Sequence, residues 1–133
     1  MSECTGATTC STSKVHQFGT VGPCIGPNEI RIEHEKGRDK PGEGEICYRG
    51  RHIMMGYMKE PAKTADAIDK DGWLHSGDVG IVDADGLLHI TGRIKELIIT
   101  AGGENIAPVP IEDKFKELCP AVSNIMMVGD KRK

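Results

Sequence analysis

The string Asp83-Ala84-Asp85-Gly86, with Gly80-Ile81-Val82 before it and Leu87-Leu88-His89-Ile90-Thr91 after it, commits the chain to a reversal at this point. Aspartate side chains accept hydrogen bonds from nearby backbone and glycine supplies the positive φ of a tight turn, so the two apolar runs are predicted to lie side by side as a β-hairpin. The same Asp-x-Asp-Gly letters lack the spacing and terminal glutamate of a calcium loop, and are read as a turn. A hairpin offers edges, and two further segments alternate in a way that suits them. Ile30-Arg31-Ile32-Glu33-His34 and Gly44-Glu45-Ile46-Cys47-Tyr48-Arg49-Gly50 are joined through a Lys40-Pro41-Gly42-Glu43 turn and read as half-buried strands of one antiparallel sheet. With 17 Gly, 7 Pro and 4% aromatic residues, the composition favours short strands and turns over a helical bundle.

Around that sheet the pattern is mixed. Residues 1 to 14 are Ser, Thr, Cys and Gly without periodicity and read as irregular. A short helix is expected to begin at Pro61, turn Ala62, Ala65 and Ile68 inward, and stop at Asp71-Gly72. Leu97 to Thr100 reads as a short strand ending at Gly102-Gly103. Pro108 and Pro110 introduce a helix with Ile111, Phe115 and Leu118 on one stripe, Glu112 expected in its first turn as a complement to the helix dipole, and Pro120 at its end. Val122 to Val128 reads as a further strand, followed by a charged turn from Gly129 to Lys133. Trp73, the one tryptophan, is expected to pack beneath the loop that carries Asp78.

Several function classes are disfavoured. A net charge of -3 with dispersed Lys and Arg makes no basic stripe for nucleic acid. Cys4, Cys10, Cys24, Cys47 and Cys119 are an odd set without a Cys-x-x-Cys pair, and the five histidines lack metal-ligand spacing. A reducing cytosolic setting suits these cysteines best. No apolar run is long enough for a membrane span, so any membrane attachment is expected to be peripheral.

Two motifs remain. Trp73-Leu74-His75-Ser76-Gly77-Asp78 is followed by Gly92-Arg93-Ile94-Lys95-Glu96-Leu97-Ile98-Ile99-Thr100-Ala101-Gly102-Gly103-Glu104-Asn105-Ile106-Ala107-Pro108. In this order they resemble linked motifs of the adenylate-forming acyl-CoA synthetases, and the wording from Ile99 to Glu112 is most similar to the bubblegum branch of long-chain and very-long-chain fatty acyl-CoA synthetases. The resemblance covers nearly the whole chain. It implies an enzyme that activates a fatty acid with ATP and passes it to coenzyme A.

Such chemistry needs a carboxylate for the ribose, a cation for ribose or phosphate, and a metal ligand. The resemblance gives Asp78 the ribose hydroxyls, with Ser76 where the family commonly has Thr, and gives Arg93 the same nucleotide. Met1-Ser2-Glu3 resembles the tail of the family's Tyr-Gly-x-Thr-Glu motif. On that match Ser2 would bond phosphate, Glu3 would hold Mg2+, and Met1 would be an internal residue. Lys95 falls at the family's hinge, on which a small C-terminal domain swings between the two half-reactions. Gly102 and Gly103 fall where backbone approaches the pantetheine arm of coenzyme A.

The expected fold class is α+β. It is mainly antiparallel β, a distorted barrel-like part of an adenylation domain, followed by the start of a small α/β C-terminal domain. Residues 1–94 would be the β-rich end of the large domain, and residues 95–133 the hinge and first elements of the small one. The expected function is a segment of an ATP-dependent long-chain fatty acid-CoA ligase with ATP/AMP, Mg2+ and coenzyme A as cofactors. The family's phosphate loop and late catalytic lysine do not occur in these residues, so the segment is expected to be inactive by itself. Its location would be cytoplasmic, or peripheral at the endoplasmic reticulum membrane. The alternatives are another adenylate-forming ligase, such as an aryl-CoA ligase or a peptide-synthetase adenylation domain, and a non-catalytic truncated binding module.

Overall fold

The computed structural model describes residues 1–100, 102 and 104–129. Its centre is a four-stranded antiparallel sheet in the order β1-β2-β3-β4, formed by Glu29–Glu33, Gly44–Arg49, Leu74–Val82 and Leu88–Arg93. The sheet does not close on itself, so the barrel-like expectation reduces to an open sheet with β1 and β4 at its edges. The alternation of the first two strands holds in full register, with Ile30 opposite Tyr48 and Ile32 opposite Ile46. The Asp83–Gly86 turn closes β3 on β4 as expected. Asp83 Oδ1 accepts the Asp85 and Leu87 amides at 3.0 and 2.9 Å, and Gly86 takes φ +77.

Even-numbered residues of β1 and β2 build the core. Ile46, Tyr48, Leu74 and Leu88 are buried together with Cys4, and Ile30, Ile32, Ile53, Ala67 and Ile68 pack around them. Removing this apolar surface from water is the main stabilising contribution of the sheet. Burial pushes the Tyr48 hydroxyl up to about 12. Odd-numbered residues make the opposite face, which is charged. There Arg31 and Arg49 place their guanidinium carbons 4.6 and 4.5 Å from the Trp73 ring centroid. Trp73 therefore packs against two arginines, because the parity of β1 and β2 puts both cations on its side of the sheet.

The irregular N-terminal stretch is pinned, not loose. The Met54 amide donates to the Glu3 carbonyl and the Thr5 amide to the His52 carbonyl, both at 2.8 Å. Further on, Val21 and Gly22 exchange backbone bonds with Leu88 at the outer edge of β4. Gly22 takes φ +87, and a Cβ there would lie 2.5 Å from the Cys10 backbone.

Three expectations change. Helix α1 is Pro61–Ala67, ending before Asp71-Gly72, and it leaves Ala62 and Ala65 exposed. Its inward residues are Thr64 and Ala67, because the Thr64 hydroxyl is tied to the Glu60 carbonyl and the Tyr57 amide, and Ile68 beyond it bridges to Leu74. Residues 122–128 form no strand, since no ladder partner lies beside them among the described residues. Glu112 is not in the first turn of helix α2 (Pro108–Leu118), and its carboxylate instead accepts the Met127 amide at 2.6 Å. The Ile111, Phe115 and Leu118 stripe is exposed. Strand β5, Ile98–Ile99, pairs with an unanticipated β6, Asn105–Ile106. Of the expected charged turn, residues 130–133 lie outside the described residues, as does Gly103.

Two outcomes follow for this sheet. Leu74→Ala should lower the unfolding free energy by about 3 kcal/mol, read by urea titration of Trp73 fluorescence; a loss below about 0.5 kcal/mol would mean Leu74 is not a core residue. The Asp83 carboxyl is held below its ordinary value of 3.8 first by His89 and then by the Leu87 amide. Its contribution is therefore whole above that value and lost as the pH falls through the lower folded value. Asp83→Ala should speed exchange of the Leu87 amide near neutral pH and leave it little changed once the carboxyl is protonated.

Candidate functional site

The two motifs meet where β3 leaves its ladder. Cys47 pairs with His75 and Glu45 with Val79, so Ser76, Gly77 and Asp78 together face the single residue Ile46. This long bulge turns the strand and re-aims its side chains. Asp78 thus lies inside β3, not in a loop. Gly77 makes the turn at φ +74, a conformation that strains any residue with a Cβ, while the space around it is open. A second irregularity answers it on the other side. Thr91 is the extra residue of β4 between the Val79–Gly92 and Gly80–Ile90 pairs, and its hydroxyl donates to the Val79 carbonyl at 3.2 Å. Gly80 is required here, because a Cβ would overlap the His89 carbonyl oxygen and come within 2.8 Å of Ile46 Cδ1.

These two bulges bring Asp78 opposite Arg93. Arg93 Nε donates to Asp78 Oδ1 at 3.0 Å, with Asp78 21% exposed and Arg93 65%. The second carboxylate oxygen of Asp78 has no protein donor among the described residues. The pair can offer a ligand one acceptor oxygen and the spare donors of a guanidinium fork, the combination that suits a sugar diol beside a phosphate.

Under the bulge lies a polar cluster on the charged face of the sheet. Glu45 Oε1 accepts the Gly77 amide at 2.9 Å, and Glu45 Oε2 lies 3.0 Å from His75 Nδ1. The Asp78 amide donates to Ser76 Oγ at 3.0 Å. Glu33, Cys47 and His75 also bring three potential metal donors together. They do not suit magnesium, which takes hard oxygen ligands. Nor is the thiol ready for a softer ion, since burial pushes Cys47 up to about 12, and the Arg31 guanidinium already sits on Glu33 and Asp69 at 2.5 and 3.3 Å.

The other expected site residues sit elsewhere in the chain. Glu3 is held against residues 52–54, where Tyr57 Oη donates to its Oε1 at 2.9 Å. Its own backbone amide and that hydroxyl keep its carboxyl below the ordinary carboxylate range, so it is an ionised, hard oxygen donor of the kind magnesium accepts. Ser2 is exposed beside it. Lys95 is exposed in a single 3-10 turn, Ile94–Glu96, which follows β4 directly. Gly102 lies between β5 and β6, and a Cβ there would meet nothing nearer than Thr100 Oγ1 at 3.8 Å, so the chain's own packing does not demand a glycine.

A cleft of about 840 Å3 separates the 37–43 loop and β4 from the β5-β6 hairpin, and neither Asp78 nor Arg93 lines it. Across it Asn105 Nδ2 donates to the Arg38 carbonyl at 2.9 Å. Glu45 carries no signal in sequence as a site residue, and His75 and Asn105, though they lie within the two motifs, act on partners about thirty or more positions away.

No protein-family profile matches the chain. Its similarity to individual proteins is extensive. It is 55% identical over 133 residues to the long-chain-fatty-acid–CoA ligase ACSBG2 of Gallus gallus, covering 100% of this chain and 17% of that protein. To ACSBG1 of Homo sapiens it is 47% identical over 133 residues, covering 100% of this chain and 18% of that protein. The chain therefore spans less than a fifth of the length of these two relatives. Among solved structures, O-succinylbenzoate coenzyme A synthetase from Bacillus subtilis, in complex with ATP and magnesium ion, matches with TM-score 0.68 and 33% identity over 80% of this chain and 22% of that one. Apo MatB from Rhodopseudomonas palustris matches with TM-score 0.68 and 33% identity over 84% of this chain and 23% of that one. The open antiparallel sheet with its two helices is the corresponding part of their adenylation fold. By sequence along its whole length and by fold, the chain belongs to the adenylate-forming enzymes, as a stretch homologous to the long-chain-fatty-acid–CoA ligases ACSBG1 and ACSBG2.

Proposed function

We propose that these residues form the nucleotide-holding edge and the hinge of an ATP-dependent long-chain fatty acyl-CoA synthetase. The reaction joins a fatty acid carboxylate to AMP with release of pyrophosphate, and the thiol of coenzyme A then displaces AMP to give the thioester. The observation that carries this reading is the Asp78–Arg93 pair, which two bulges bring together at the bend of β3, with one carboxylate oxygen unpaired among the described residues. Asp78 would accept the ribose hydroxyls, and Arg93 would turn spare donors of its guanidinium to the ribose or phosphate.

Glu3 would supply an ionised carboxylate to a magnesium ion, which would offset phosphate charge, and Ser2 would donate to phosphate beside it. Residues 1–94 belong to the large domain in this reading, and residues 95–133 to the small one. Lys95, at the exposed 3-10 turn between β4 and β5, is the position about which the two reorient. Gly102 leaves backbone open to the pantetheine arm, and Gly103, outside the described residues, is assigned with it. The enzyme would act in the cytoplasm or peripherally at the endoplasmic reticulum membrane.

The test uses the native protein, captured from its source with an antibody to residues 92–108. It is supplied with palmitate, ATP, magnesium and coenzyme A, and the products are separated by mass. Palmitoyl-CoA and AMP in equal amounts are expected, whereas turnover of an aryl acid but of no fatty acid would overturn the fatty-acid assignment. In the same protein Asp78→Ala should raise the Kd for AMP by about tenfold or more, the effect of removing a charged acceptor of two hydroxyls.

A further inference from the structure

We propose that Glu45 is a positioning residue for the nucleotide, acting through Asp78. The inference rests on the reading of Asp78 as the ribose acceptor. A bulge of three residues against one removes backbone groups from the β2–β3 ladder, and each displaced amide needs another acceptor. The Asp78 amide finds Ser76 Oγ within the bulge itself. The Gly77 amide, at the residue that takes φ +74, donates instead to Glu45 Oε1 at 2.9 Å, across to the neighbouring strand.

The other oxygen of the same carboxylate lies 3.0 Å from His75 Nδ1. One planar fork therefore grips both His75, the last paired residue before the bulge, and Gly77 within it. Glu45 is itself anchored in β2 opposite Val79, the residue that follows Asp78, and its side chain is 15% exposed. Asp78 is thus held from three sides. His75 and Gly77 are fixed by Glu45 from below, Val79 is fixed by the Glu45 backbone, and Arg93 meets the carboxylate from β4. Without the Glu45 side chain the Gly77 amide loses its acceptor, and the bulge can relax away from the Arg93 side.

Glu45→Gln keeps one acceptor oxygen for Gly77 and turns an amide group to His75. The imidazole can meet it by moving its proton to Nε2, which lies 3.8 Å from Asp69 Oδ2. The glutamine variant should therefore bind the nucleotide nearly as the wild type does, whereas Glu45→Ala loses both bonds.

The experiment measures AMP binding by calorimetry on the native-length protein, for wild type, E45A, E45Q, D78A and the E45A/D78A double variant, with melting temperatures alongside. KM for ATP and for fatty acid are determined on each. The expected result is an AMP Kd raised about tenfold in E45A, with E45Q within about threefold of wild type. KM should rise for ATP alone. Adding E45A to D78A should weaken AMP binding no further, because the two changes remove one interaction. If E45A does not fold, E45D gives the same comparison, since it keeps the charge and cannot span both partners.

An undiminished E45A effect in the D78A background, or an equal rise of both KM values, would assign Glu45 to general stability and overturn the proposal. A weakened D78A with an unaffected E45A would overturn it too, and leave the ribose reading of Asp78 standing. A D78A variant with unchanged AMP affinity would overturn that reading, and this inference with it.

Discussion

Ser76, Gly77 and Asp78 cannot all join the ladder with β2, and the way their backbone groups are satisfied decides where the Asp78 carboxylate points. Three residues occupy the place of one, so the strand must buckle. Glycine at 77 allows the buckle, Ser76 and Glu45 supply acceptors, and Thr91 makes a compensating irregularity in β4. The Asp78–Arg93 pair is the product of these adjustments. Regular β pairing would have turned the two side chains by parity alone.

The sheet beneath the bulge solves a second problem, which is how to bury a strand on both faces. Strand β2 has Ile46 and Tyr48 toward the apolar core and Cys47 toward the charged face, all three buried. The charged face is made dense by layering cations on an aromatic ring and anions around the cations. Arg31 and Arg49 flank Trp73, and Glu29, Glu33 and Asp69 neutralise them. Two guanidinium groups against one indole would repel without those carboxylates. With them, each cation keeps a counter-ion and a π-face together.

Local chemistry explains how much of this was legible in the residues alone. The 83–86 turn and the alternation in β1 and β2 depend on neighbours in sequence, and they stand as expected. Asp78 and Arg93 were marked by motif, and register brings them together. Helix α1 differs from expectation because seven residues cannot establish a periodicity, and Thr64 and Ala67, not Ala62 and Ala65, face inward. The supposed strand at 122–128 had apolar residues without a ladder to join, and β propensity is expressed only in pairing. Glu45 and Trp73 were opaque for the opposite reason. Their surroundings are assembled from β1, β2 and the approach to β3, and no window of the sequence contains them all.

Strand β1 lies at an edge of the sheet, and the open side of such a strand is a template for any extended segment that passes. Its five residues include Glu29, Arg31 and Glu33, each tied into the ion pairs around Trp73. An incoming strand would have to accommodate those charges while offering nothing to neutralise them. The layer that makes the back of the sheet dense therefore also discourages edge-to-edge aggregation, a protection that stays with the fold whatever nucleotide is bound.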